Sequence, residues 1–219
     1  MTNPLQGNEA WKEARLGYLT ASAVADILPS FKKDKTGKIT KTYKAETRRR
    51  RMGKILAERV RMKPLDDRKT ASMEWGTEHE DDARDAYWIK TGEVPELAGF
   101  LHHPDVPYLG ASPDGLIGTD GLIEIKCPDP DTHMMYIMDG VPPEKYRPQM
   151  ILQLLVTGRK WCDFVSYDPD AGDFSTFIVR FEPPEEMRQL VLEECKLFLK
   201  ETAEKFDEMK KRIGEKING

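Results

Sequence analysis

Ala111-Ser112-Pro113-Asp114-Gly115-Leu116, then Gly121-Leu122-Ile123-Glu124-Ile125-Lys126-Cys127-Pro128, is the stretch that decides the fold. Side chains alternate faces along a strand, so Glu124 and Lys126 point one way while Ile123, Ile125 and Cys127 point the other, apolar way. The flanking residues predict a buried strand, where two charges on one face are costly unless used. Asp114-Gly115 supplies a turn element at hairpin distance. A strand that sets a carboxylate beside an ammonium can hold a divalent metal and orient a water next to it, the chemistry of metal-dependent phosphodiester hydrolysis. The bland alternative, a surface Glu–Lys pair worth little to stability, is weakened by a second acidic cluster upstream, Glu78-His79-Glu80-Asp81-Asp82, on an expected helix.

Around that stretch, 219 residues suffice for one well-buried α/β domain and are short for two. We therefore read residues 1–219 as a single domain. No apolar run is long enough for a membrane span, and the first residues lack the basic-then-apolar order of a secretory signal. Cys127, Cys162 and Cys195 are scattered in apolar contexts and read as reduced core thiols of a cytoplasmic protein. The histidines show no zinc spacing.

The net charge of −4 argues poorly for a DNA-binding surface, but the charge is unevenly spread. From Phe31 to Lys63 basic residues dominate, Lys32, Lys33, Lys35 and Lys38 leading into Arg48-Arg49-Arg50-Arg51. Such a block is either a phosphate-facing surface or a solvated helix face.

The pattern predicts a short helix from Thr20 to about Leu28, capped by Thr20, then a basic loop from Lys32 to Thr40. Helices are expected from Lys41 to about Met62 and from Ala71 to Lys90, the latter with Trp75, Ala83, Ala86 and Tyr87 inward. Gly76, one turn before Glu80, is expected to admit a close backbone. Short strands follow near 99–102, 108–112, 115–118 and 122–127, then a proline-bracketed loop and a helix at 149–157. Two strands at 160–167 and 174–181 precede a long amphipathic helix from Glu185 to about Ile213. These elements pack most naturally as a central mixed β-sheet flanked by helices, an α/β restriction-endonuclease-like core.

Five ordered motifs tie the chain to a known family. They are Ala10-Trp11-Lys12-Glu13-Ala14-Arg15-Leu16-Gly17 with Thr20-Ala21-Ser22; Glu74-Trp75-Gly76-Thr77-Glu78-His79-Glu80 through Arg84; Ser112-Pro113-Asp114-Gly115-Leu116; Glu124-Ile125-Lys126-Cys127-Pro128; and Tyr146-Arg147-Pro148-Gln149 before Val156-Thr157-Gly158. Together they resemble the phage lambda exonuclease (alkaline exonuclease) family of the PD-(D/E)XK nuclease superfamily, over nearly the whole length.

The resemblance implies processive 5′-to-3′ degradation of one strand of double-stranded DNA from its ends, with two Mg²⁺ ions that Mn²⁺ can replace. It implies a ring-shaped homotrimer of phage or prophage origin, acting in recombination beside a single-strand annealing protein. Carried over, Glu80, Asp114, Glu124 and the Ile125 backbone carbonyl are metal ligands, Lys126 orients or deprotonates the attacking water, and Gln149 helps position the group. Arg15, Ser22 and Ser112 form a 5′-phosphate pocket, and Met73 is a strand-separating wedge. A restriction-type endonuclease on the same core and a non-catalytic DNA-end-binding protein are the competing functions. Arg15 with Ser22 argues against the first, and the intact Glu80, Asp114, Glu124 and Lys126 set against the second.

Overall fold

A computed structural model describes residues 6–33, 35–36, 38–65 and 71–217, with side chains at 33, 72, 73 and 215–217 excepted. Its framework is two sheets joined end to end by the Ser112-Pro113-Asp114 turn. The smaller sheet places β1 (Leu19–Thr20) parallel to β5 (Leu109–Ala111), which pairs antiparallel with β4 (Leu101–His102). The larger is mixed: β6 (Gly115–Ile117), β7 (Gly121–Lys126), β8 (Trp161–Tyr167) and β9 (Thr176–Phe181) lie in that order, with β7 and β8 parallel. The expected mixed α/β core is therefore present, divided at the turn that carries Asp114.

The alternation along β7 works as its sequence dictates. Ile123 and Ile125 pack with Ala83 and Tyr87 of α4 (Glu80–Thr91) and with Val165. Leu122, on the other face, meets Tyr136 of α5 (Pro130–Asp139) and Met150 and Leu154 of α6 (Arg147–Thr157). Glu124 shares that second face, where burial of an unpaired carboxylate would be prohibitive. A third cluster joins Leu19, the 3-10 helix Ala21–Asp26, Ile151 and Leu152 of α6, and Val191, Cys195 and Phe198 of α7 (Glu185–Ile217).

Several sequence expectations need correction. The basic stretch expected as a loop is a hairpin, β2 (Ser30–Lys33) with β3 (Ile39–Thr42), so the next helix, α2, spans Ala45–Arg61 and does not begin at Lys41. β-Branched Ile39, Thr40 and Thr42 favour the strand that the run of charges hid. The helix expected from Ala71 to Lys90 is two, α3 (Ala71–Glu78) and α4, broken at His79. Trp75 is half-exposed against the His79 ring and not in the core. Among the described residues nothing lies within 4 Å of where a Gly76 side chain would start, so none of their backbones uses its bareness. Thr20 precedes a 3-10 helix without capping it; its hydroxyl lies 3.3 Å from that of Ser22. Helix α5 falls in a stretch to which the sequence reading assigned no element, its apolar residues being partly outward methionines.

Part of the basic block is structural. Arg48 is buried and paired with Glu201, Arg51 pairs with Asp26, and Lys41 bonds Glu194 of α7. Arg59 and Glu58 of α2 grip the turn after α1 (Glu9–Ala14): Gly17 N donates to Glu58 Oε2 at 3.0 Å, and Arg59 Nε donates to Gly17 O at 2.9 Å. Gly17 has φ +70°, and a Cβ there would stand 2.4 Å from Arg59 Cγ. Gly17→Ala is thus expected to cost about 2–4 kcal/mol, from left-handed backbone strain and the clash together. Denaturant unfolding of the variant checks it; a loss within the error of the wild type would mean that the turn relaxes freely.

Candidate active site

Asp114 and Glu124 meet because β6 and β7 pair antiparallel with Gly115 opposite Ile123, which puts the residue before Gly115 beside the one after Ile123. At that point the Ile125 N–H donates to Asp114 Oδ2 at 2.7 Å. Glu124 is fully buried. Its Oε1 accepts from Lys126 Nζ and from Gln149 Nε2, and its Oε2 accepts from Gln153 Nε2 at 2.6 Å. Gln149 and Gln153 stand one turn apart on α6, so one helix face reaches both oxygens.

Burial first, then the neighbouring Glu124 carboxylate, push the Asp114 carboxyl well above its usual range, against the pull of Lys126. For Lys126, burial pulls down, but Glu124 and Asp114 more than offset it and hold the ammonium charged. Its cation also lies 5.1 Å from the Tyr146 ring. Burial pushes the Cys127 thiol, next along, up to about 12, so it is an inert neighbour.

Glu80 opens α4 and faces the same cleft, although its carboxylate accepts from Arg84 Nη1 at 2.6 Å. Arg84 Nη1 also reaches the Asp114 carbonyl at 3.3 Å, tying α4 to the Asp114 turn. Among the described residues no three His, Cys, Asp or Glu side chains are gathered closely enough to hold an ion. The chemistry of the donors nonetheless fits a hard divalent cation: Asp114 and Glu124 are buried carboxylates offset by the Lys126 ammonium, and Glu80, held by Arg84 here, would have to turn from it to join them. Oxygen donors of this kind suit Mg²⁺ or Mn²⁺ and not a thiolate metal.

The expected phosphate-binding residues converge on the same cleft, of about 1560 Å³, which Arg15, Ser22, Ser112, Asp114, Lys126 and Gln149 help to line. The Arg15 guanidinium lies 4.1 Å over the Trp11 ring, and Trp11 Nε1 donates to Ser112 Oγ at 2.8 Å. Trp11 thus orients both, and its position one turn before Arg15 was the available signal. The cations lining the cleft include Arg51, Lys54, Arg61 and Lys63. Lys32, Lys35 and Lys38 are exposed on or beside the hairpin and do not line it. The side chains of Lys33 and Met73 lie outside the described residues. Sequence reading missed Gln153 and Arg84; each sits four residues from a residue it did select, Gln149 and Glu80.

The chain was compared with known proteins. Residues 10–160 match the model of the YqaJ-like viral recombinase domain. Comparison with curated proteins finds no match. Among similar solved structures, an alkaline exonuclease (LHK-Exo) from Laribacter hongkongensis is 37% identical, covering 95% of this chain and 99% of that one, with a TM-score of 0.84. The same exonuclease in complex with dAMP gives 0.82. A phage-related exonuclease from Haemophilus somnus 129PT shares the fold at 14% identity and a TM-score of 0.64, over 88% of this chain and 96% of that one. With that model matching most of its length, the chain belongs to the YqaJ-like viral recombinase domain family, of the lambda-exonuclease-like kind.

Proposed function

We propose that this protein is a divalent-metal-dependent exonuclease, acting as a single domain, that degrades one strand of double-stranded DNA from its 5′ ends in recombination of phage type. The observation that carries it is one cleft in which Glu80, Asp114 and Lys126 share walls with Arg15, Ser22 and Ser112. The Laribacter hongkongensis alkaline exonuclease binds dAMP, a deoxynucleoside monophosphate of the kind released when a strand is cut nucleotide by nucleotide.

Asp114, Glu124, Glu80 and the Ile125 carbonyl would hold two Mg²⁺ or Mn²⁺ ions, which when bound polarise the scissile phosphate and acidify water. Lys126 places its ammonium where the phosphate gains negative charge and orients the attacking water. Gln149 holds Glu124 in position. Arg15 offers paired planar donors to the 5′-terminal phosphate, with Ser22 and Ser112 completing its hydrogen bonds. Lys32, Lys33, Lys35 and Lys38 contact the DNA backbone, and Met73 wedges the terminal base pair apart. The family resemblance further supports a homotrimeric ring in the cytoplasm working beside a single-strand annealing protein. No helix among the described residues is long and apolar enough to cross a membrane.

Digestion of linear and circular duplex, in Mg²⁺ or with EDTA, tests this. Linear DNA alone should be degraded, and only with metal. An endonuclease cuts circles, and an end-binding protein cuts neither. Ends carrying a 5′-phosphate should outpace 5′-hydroxyl ends, because losing such a charge-assisted contact costs about 2 kcal/mol, or roughly thirtyfold in rate. Arg15→Ala should slow phosphorylated ends toward the hydroxyl rate and leave hydroxyl ends little changed. Equal digestion of both ends by the wild type would remove the pocket assignment.

A further inference from the structure

Two glutamines of α6 reach Glu124 from different sides. Gln149 lines the cleft with Lys126, and both donate to Glu124 Oε1. Gln153 is fully buried, does not line the cleft, and donates to Oε2. Its own carbonyl oxygen is buried with no hydrogen-bond partner among the described residues. The Gln153 amide turns its NH₂ to Glu124 Oε2, which aims its carbonyl away from that carboxylate. An unpaired buried carbonyl is costly, and an apolar side chain of the same shape would avoid it. The amide is therefore kept for what its NH₂ holds.

Resting on the metal-dependent function proposed above, we propose that Gln153 is a positioning residue that reserves Glu124 Oε2 for the protein, so that an ion entering from the cleft reaches the carboxylate at Oε1, in place of the Lys126 or Gln149 donor. Glu124 then offers an incoming ion one oxygen and not two. Mg²⁺ demands near-octahedral geometry from closely fixed ligands, whereas Ca²⁺ accepts bidentate carboxylates and looser cages. Fixing Glu124 by one oxygen thus biases the site toward the smaller ion. Without Gln153, Oε2 loses its donor and becomes available to the ion beside Oε1, a change that penalises Mg²⁺ and spares Ca²⁺.

The test is calorimetric titration of Mg²⁺ and of Ca²⁺ into the full chain without DNA, for wild type, Gln153→Met, Gln153→Asn and Asp114→Asn, with denaturant unfolding alongside. Gln153→Met should weaken Mg²⁺ binding about tenfold and Ca²⁺ binding less, lowering the Mg²⁺-to-Ca²⁺ preference. Gln153→Asn, whose amide falls one methylene short, should move the preference the same way and serves if the Met variant does not fold. Unchanged Mg²⁺ affinity, or equal loss for both ions, in a cooperatively folded variant overturns the role of Gln153. Failure of both variants to fold makes it a structural residue and also overturns it. Wild-type protein that binds neither ion, or whose binding ignores Asp114→Asn, overturns the metal-dependent function itself and the proposal with it.

Discussion

Lys126→Ala is expected to lower the single-turnover rate of hydrolysis by about 10²–10³-fold or more, while DNA ends still bind in Mg²⁺. The ammonium is half-covered, bonded to a fully buried Glu124 and held charged by two carboxylates. It is therefore placed to meet charge that develops on the phosphate, which ground-state binding does not require. Removing it should depress the rate far more than the affinity, the mark of an interaction made chiefly in the transition state. Rapid-mixing digestion of a labelled duplex, with end binding followed by anisotropy, separates the two. Retention of a tenth or more of the wild-type rate would take Lys126 out of the mechanism, and a parallel loss of end binding would recast it as a DNA-binding residue.

Asp114→Asn should abolish activity yet stabilise the metal-free protein at alkaline pH. Burial and the field of Glu124 raise the Asp114 carboxyl well above its ordinary 3.8. The folded state thus holds a proton that the unfolded state has released, and stability falls as pH climbs from that ordinary value through the raised one. The cost is fully present above the raised value and absent below 3.8. Asparagine keeps an oxygen for the Ile125 N–H and carries no charge to desolvate. In EDTA it should gain ~1–2 kcal/mol over wild type at about pH 8.5 and much less at about pH 5. On the proposed function Asp114 is a metal ligand, and losing one worth several kcal/mol to charge stabilisation should remove ~10³-fold or more in rate. Denaturant unfolding at the two pH values decides it; a variant less stable than wild type at both would mean that Asp114 is ionised at little cost in the folded protein.

The central hairpin and strand were legible because their period-two alternation is local: Ile123 and Ile125 against Leu122, Glu124 and Lys126 need no partner to be recognised. Asp114 followed from turn chemistry beside them. Gln153 was invisible for the opposite reason. On an apolar helix a glutamine reads as a satisfied core amide, and only the approach of β7, nearly thirty residues away in sequence, gives it Glu124 as a partner. The break at His79 was hidden because no proline or glycine marks it. The β2–β3 hairpin was masked by lysines that read equally as helix, loop or strand. The pocket residues were legible only through resemblance, since Trp11 meets Ser112 across a hundred residues.

The cluster that joins Leu19 and the following 3-10 helix to α6 takes its last wall from Val191, Cys195 and Phe198. That wall is made late in synthesis, after every residue assigned to the site has left the ribosome's decoding centre. Without α7 docked, the strand carrying Leu19 lacks that part of its core. Helix α7 thus couples two distant parts of the chain: loosening it would withdraw one wall of the core beneath the strand and 3-10 helix whose Thr20, Ala21 and Ser22 line the cleft.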